Sequence, residues 1–186
     1  DGHCHHTFGT YQLVVRGLKA MLTEGAATDA SCAALRAWLP PPAELLRIAE
    51  NECAWRAHAC AVHPALLCAR LHGERLGDWA AAAEVAEGVL ATEAFNPVVR
   101  TEALRLLGRA RAAQGAQAAA CEAAERAVAQ AAEARYAWFE MLALADLLKW
   151  CAAGEAADVR SRLRGVASRL ASSKEELAGV IGEGAL

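Results

Sequence analysis

Three glycines, Gly77, Gly115 and Gly154, stand 38 and 39 residues apart, and each separates two helix-length stretches rich in Leu and Ala. A glycine at such a junction reads as the residue just past a helix end. Positive φ is needed there, and only glycine adopts it cheaply. A repeat at that spacing constrains the fold more than any other feature, because one helix pair cannot bury its apolar face alone and must stack on neighbours. The expected fold class is therefore all-α, antiparallel helix hairpins stacked in a row. Composition agrees: Ala supplies 48 residues and Leu 23, against 19 for Val, Ile and Thr together. Sandwiches and barrels need β-branched residues on their pleated faces, whereas Ala and Leu suit helices.

The middle unit has the sharpest pattern. Its first helix, about Val98–Ala113, places Leu104, Leu107 and Gly108 on one face, with Ala103 and Ala110 beside them. Its second, about Gln117–Glu133, repeats small residues at Ala120, Ala124, Ala127, Val128 and Ala131, the spacing of a buried stripe. Asn96 is the expected N-cap, with Pro97 at the first helical position. In the preceding unit Pro64 opens a helix through Arg75. Gly77-Asp78 then turns the chain, Asp78 caps, and Trp79, Ala82, Ala83, Ala86, Val89 and Leu90 form the second inner face. In the following unit the inner residues are Trp138, Leu142, Leu147 and Trp150, then Val159, Leu163, Val166 and Leu170. Upstream, Tyr11–Thr23, Asp29–Leu39 and Ala43–Ala61 read as helices, with Gly25 as a further turn and Pro40-Pro41-Pro42 as a stop. Downstream, Ser173 and Glu176 offer a capping box for a final helix.

The run Ala103-Leu104-Arg105-Leu106-Leu107-Gly108-Arg109-Ala110, followed by Gly115, Ala120 and Ala127, resembles a tetratricopeptide repeat (TPR). Leu76-Gly77-Asp78-Trp79 with Ala82 is similar to that family's inter-helix turn. The resemblance covers roughly residues 63–172, at a period longer than the usual 34, like the divergent repeats of signalling and regulatory ATPases. It implies a right-handed α-solenoid whose small residues mark where helices touch, with axes as close as about 8 Å. The expected organisation is a disordered tail at 1–10, degenerate helices at 11–62, TPR-like repeats at 63–172 and a capping helix at 173–186. Trp38, Trp55, Trp79, Trp138 and Trp150 are spread along the chain. They are expected to act as one packing anchor per layer rather than as an aromatic ligand cage, since a large buried side chain contributes roughly 1.5–3 kcal/mol.

Net charge is −3, with 19 basic and 22 acidic residues. The basic excess that displaces counterions from a phosphate backbone is missing, so no nucleic-acid partner is expected. Hydrophobic residues at 55% and charged ones at 22% exclude general disorder. No charge-free run of 18 apolar residues occurs, so no membrane span is expected. Seven irregularly spaced Cys do not form a secreted disulfide framework, which favours reduced thiols and a cytoplasmic location. A start at Asp1 rather than Met suggests a fragment or a processed form.

Residues that could carry chemistry are few. Histidine occurs in two clusters, His3-Cys4-His5-His6 and the stretch Cys53, His58, Cys60, His63, Cys68, His72. Cys68 and His72 share a helical face, and thiolate and imidazole are zinc or copper ligands. Without a Cys-x-x-Cys knuckle, Cys as a small core residue is the plainer reading. Asp1-Gly2-His3 could chelate Cu²⁺ or Ni²⁺ only as a true N-terminus. The run holding Arg160, Arg162, Arg164, Arg169 and Lys174 reads as a solvated outer face. A phosphate loop, a zinc-protease helix and a nucleophile elbow are all missing, Gly182-Glu183-Gly184 being too short a glycine motif. Accordingly no catalytic residue, metal site or cofactor is expected, and the protein is not expected to be an enzyme.

The function expected is a non-catalytic interaction scaffold holding a peptide or partner helix in a concave groove lined by first helices. Its predicted lining is Leu67, Leu71, Glu102, Arg105, Leu106, Arg109, Leu144 and Leu148: an apolar floor with a guanidinium pair, suited to an amphipathic helix bearing carboxylates. The alternatives are a Cys/His metal-binding helical sensor using His58–His72, and a regulatory fragment of a larger signalling enzyme. An open Leu-rich groove is also compatible with a homodimer.

Overall fold

A computed structural model describes residues 15–17, 19–20, 28–54, 63–92 and 96–170, with side chains omitted over 50–54. Among the described residues the protein is helical and contains no strand. Chain contacts divide it into two compact units, Asp1–Phe95 and Asn96–Leu186.

In the first unit four helices are bounded: α1 (Asp29–Arg36), α2 (Pro42–Ala54), α3 (Pro64–Leu76) and α4 (Trp79–Ala91). Thr28 opens α1 with a capping box to Ser31. Pro64 stands at the start of α3, and Asp78 Oδ1 accepts from Ala81 N at 3.0 Å to cap α4. Helices α2, α3 and α4 pack on one another around fully buried Leu45, Leu71, Val85 and Val89. Glycine permits two close approaches: a Cβ on Gly73 would sit 2.5 Å from the Trp79 ring, and one on Gly88 2.2 Å from Leu46. The α1 helix ends earlier than Asp29–Leu39 predicts.

The second unit contains α5 (Pro97–Ala113), α6 (Gln117–Glu133), α7 (Ala137–Trp150) and α8 (Ala156–Ala167), each packed on the next. Asn96 caps α5 through Val99 N at 3.1 Å. The small-residue stripe of α6 is buried: Ala120, Ala124, Ala127 and Ala131 have no exposed surface, and Val128 has 2%. Helices α5 and α7 also pack directly. Gly108 lies at that contact and beneath α6, where a Cβ would meet the Trp150 ring at 2.7 Å and the Ala120 carbonyl at 3.3 Å.

Two of the three expected glycine turns have the expected backbone. Gly77 has φ +71° and Gly115 φ +78°. After α5, Gly115 N donates to Ala112 O and Ala116 N to Arg111 O, the paired bonds of a Schellman closure. Gly154 departs from expectation. The chain does leave the helix there, but Gly154 has no positive φ. Instead α7 ends at Cys151 in extended conformation (φ −66°, ψ 158°). The Trp150 carbonyl is capped from α6, accepting from Gln117 Nε2 at 2.9 Å and Cys121 Sγ at 2.8 Å. Borrowed donors satisfy an orphan carbonyl as well as a left-handed turn does. Among the described residues a third left-handed position is Arg135, φ 58°, between α6 and α7. It repeats the Schellman bonds, Arg135 N to Ala132 O and Tyr136 N to Ala131 O.

Trp138 departs from the packing-anchor expectation at 41% exposed, while Trp38, Trp79 and Trp150 are partly buried. The proposed tail at 1–10, Gly25, Trp55, the end of Ala43–Ala61 and the helix at 173–186 lie outside the described residues, as does most of Tyr11–Thr23.

Candidate partner-binding site

The predicted groove residues separate into two physical groups. Leu67 and Leu71 of α3 are core residues of the first unit, 5% and 0% exposed. In the second unit Leu106 of α5 and Leu144 of α7 are 2% and 0% exposed, so their side chains are spent on internal packing; Leu148 is partly buried. The charged residues come together where α5 meets α7. Arg105, Glu102 and Arg109 lie three, four or seven positions apart on α5 and so share one face.

Their focus is Asp146, which the sequence reading does not single out. It sits on α7 at 2% exposure. Arg105 Nε donates to Asp146 Oδ2 at 2.9 Å, and Arg109 donates to both carboxylate oxygens at 3.3 Å. The Lys149 ammonium approaches the same carboxylate at 3.6 Å. Arg105 also donates to Glu102 Oε1. The cluster therefore joins Arg105, Arg109 and Lys149 to Asp146, and Arg105 to Glu102 as well. Arg105 and Asp146 form its buried centre, and Arg109 and Lys149 lie at its edge with side chains 24% and 60% exposed.

One outward face of α7 adjoins this cluster. Trp138, Leu142 and Lys149 are four and seven residues apart and lie on one side of the helix. Trp138 is exposed, Leu142 partly buried and Lys149 exposed. Tyr136, at 43% exposure, stands at the same end of α7 and meets Phe139 edge-to-face at 6.5 Å between ring centres. No protein-family model, curated protein or solved structure matches this chain.

The described part of the second Cys/His cluster is packed away. His63 is buried and its imidazole is pushed down to about 4 by desolvation. Cys68 is fully buried and its thiol is pushed up to about 12 for the same reason. His72 Nε2 lies 2.9 Å from the Pro40 carbonyl oxygen, which accepts its hydrogen bond in the Nε2–H tautomer. Among the described residues no group of three or more His, Cys, Asp and Glu is placed to hold a metal ion. His58, Cys60, the side chain of Cys53 and the His3–His6 cluster lie outside the described residues. No described helix is long and apolar enough to cross a membrane.

The basic run at 160–164 is exposed on α8, as expected of a solvated face, and Arg169 pairs with Glu140 at 2.6 Å. Asp146 is thus the residue of this face that sequence reasoning passes over, and Trp138 the one it reads as an inner packing anchor. The available signal for Asp146 is its isolation: it is the one acid between Met141 and Trp150, inside an otherwise apolar turn.

Proposed function

We propose that the second unit is a TPR-like, right-handed stack of helix hairpins that works as a non-catalytic interaction module. Its occupant is an amphipathic helix or peptide carrying an apolar anchor and at least one carboxylate. The observation that carries this reading is the α7 face, where exposed Trp138 and Lys149 flank Leu142 beside the Arg105–Asp146–Arg109 cluster. Trp and Arg are the residue types that most often dominate binding energy. The buried Arg105–Asp146 pair holds the α5–α7 contact in one register, while exposed Lys149 accepts a partner carboxylate. Repeats of this kind commonly present the first helix of each pair to a ligand, and α5 and α7 occupy that position in successive pairs.

Selection from a displayed library of helical peptides tests the reading. Enriched sequences should be amphipathic and acidic. Their binding should fall about tenfold or more with Trp138→Ala and with Lys149→Glu, each change removing about 1.4 kcal/mol or more. Arg160→Glu, on the exposed face of α8, serves as the control and should bind normally. Failure to enrich any peptide, or equal binding by wild type and both α7 variants, refutes the assignment.

A further inference from the structure

We propose that Cys121 and Cys151 form a redox modification site, which a peroxide-class oxidant converts into a reversible disulfide tying α6 to the C-terminus of α7. The geometry comes from the cap described above. Cys121 Sγ lies 2.8 Å from the Trp150 carbonyl oxygen, and that oxygen belongs to the peptide bond leading into Cys151. Standard peptide dimensions put a carbonyl oxygen roughly 2.8 Å from the next Cα. The Cys121 sulfur is therefore at most about 5.6 Å from the Cys151 Cα, a separation that side-chain rotation and a small backbone shift can close into a bridge.

The movement falls on the side able to make it. Cys151 is the first residue past α7, in extended conformation, and its sulfur holds only a long 3.7 Å contact to the Leu148 carbonyl. It also lines a cavity of about 570 Å³ together with buried Val128, Leu147 and Val159 and exposed Glu155 and Arg162. A small oxidant thus reaches Cys151 from the cavity. Cys121 is not among the residues lining it. Burial raises the Cys121 thiol above its ordinary value, and nearby Cys151, Glu125 and Glu155 push in the same direction. Access to the cavity thus distinguishes the two sulfurs, with Cys151 the attacking group and Cys121 the resolving one.

The chemistry balances with hydrogen peroxide as oxidant. The Cys151 thiolate attacks one peroxide oxygen, the O–O bond breaks, and hydroxide leaves and is protonated to water. This leaves Cys151 as a sulfenic acid. The Cys121 thiolate then attacks that sulfur; the S–O bond breaks, and a second hydroxide leaves as water. Two thiols have lost two electrons and two protons, and one peroxide has become two waters. The bridge replaces the Cys121 bond to the Trp150 carbonyl, leaving Gln117 as the donor there, and it pins α6 to α7 at the edge of the cavity.

The experiment treats the reduced full chain with hydrogen peroxide at neutral pH, quenches with N-ethylmaleimide, and maps cysteines by mass spectrometry without reduction. The expected product is a Cys121–Cys151 cross-linked peptide that disappears on adding dithiothreitol. It should form about tenfold faster than Cys32, the partly buried thiol bonded to the Arg75 carbonyl, is consumed. The Cys121→Ser variant should strand Cys151 as a sulfenic acid trapped by dimedone. Three results overturn the proposal: Cys121 still open to alkylation after Cys151 has reacted, a different pairing dominating, or the link forming as fast in guanidinium-unfolded chain as in the folded protein.

Discussion

Replacing Asp146 with alanine should cost the second unit about 3 kcal/mol. Hydrogen bonds involving a charged group contribute roughly 1.5–3 kcal/mol. Arg105, at 7% exposure, loses its 2.9 Å bond and keeps Glu102, so its loss lies near the upper end of that range. Arg109 and Lys149 are partly and largely exposed, and water replaces what they give up; together they add about 0–1 kcal/mol. Asp146→Asn keeps an acceptor oxygen and the side-chain shape, and should cost about 2 kcal/mol through loss of charge assistance. Arg105→Met combined with Asp146→Leu should return to within about 1 kcal/mol of wild type. Apolar packing there removes both the buried charges and the desolvation they require. Urea unfolding at neutral pH, followed by far-ultraviolet circular dichroism, measures all of these. The Arg105→Met and Asp146→Leu single variants complete a double-mutant cycle, with an expected coupling of about 1.5 kcal/mol or more. A loss below about 1 kcal/mol for Asp146→Ala, or simple additivity in the cycle, would show that the cluster lies on the surface of the energetics and does not hold α5 to α7.

Four further outcomes follow from backbone and burial. Arg135→Gly should raise stability by about 1 kcal/mol, because a left-handed non-glycine residue costs roughly 1–2 kcal/mol; a melting midpoint that stays put or falls would contradict the turn geometry. Gly77→Ala should cost about 1–2 kcal/mol, whereas Gly154→Ala should gain about 0.5 kcal/mol, since Gly154 has ordinary φ and nothing within 4 Å of its added Cβ. Equal denaturant midpoints for the two would refute the distinction. Gly108→Ala should cost about 1–3 kcal/mol by driving a methyl into the Trp150 ring and the Ala120 carbonyl. The buried His63, held at about 4 against an ordinary 6.5, makes stability pH-dependent. Above pH 6.5 both states are neutral; between 6.5 and about 4 only the unfolded chain takes up the proton, so stability falls by about 3 kcal/mol in total as pH drops. His63→Phe should abolish that component of the slope in urea titrations at several pH values, and an unchanged slope would rule it out.

The parts of this fold legible in the sequence are those decided within one helix or one turn. Pro97 after Asn96 and Asp78 after Gly77 announce their helix starts because capping is local. The α6 stripe announces its buried face because small residues recur at the helical period, and Gln117–Glu133 is a helix over the span expected. Gly154 shows where local reasoning stops. A glycine between two helical stretches is read as a left-handed cap, yet the carbonyl it would relieve is met by Gln117 and Cys121, more than 25 residues upstream. With that need satisfied across α6 and α7, nothing forces positive φ at residue 154. Conversely, Arg135 adopts the conformation without a glycine to announce it, because the bonds to Ala131 and Ala132 offset its strain.

The candidate site divides along the same line. Arg105 and Arg109 stand out as cations on one face of α5, but nothing local distinguishes a guanidinium aimed at a partner from one aimed at a neighbouring helix. Asp146 decides that question, and it does so from 37 and 41 residues away. Once Asp146 takes up Arg105, that residue acts as the internal tie, and in the proposed function recognition falls to Lys149 and Trp138. A buried charge pair fixes register in a way that interchangeable Ala-on-Ala contacts cannot, because sliding α7 by one residue would strand both charges in apolar surroundings at a cost of several kcal/mol. Among helices built so largely from alanine, the position of the proposed binding face therefore depends on one aspartate more than on the many small residues beneath it.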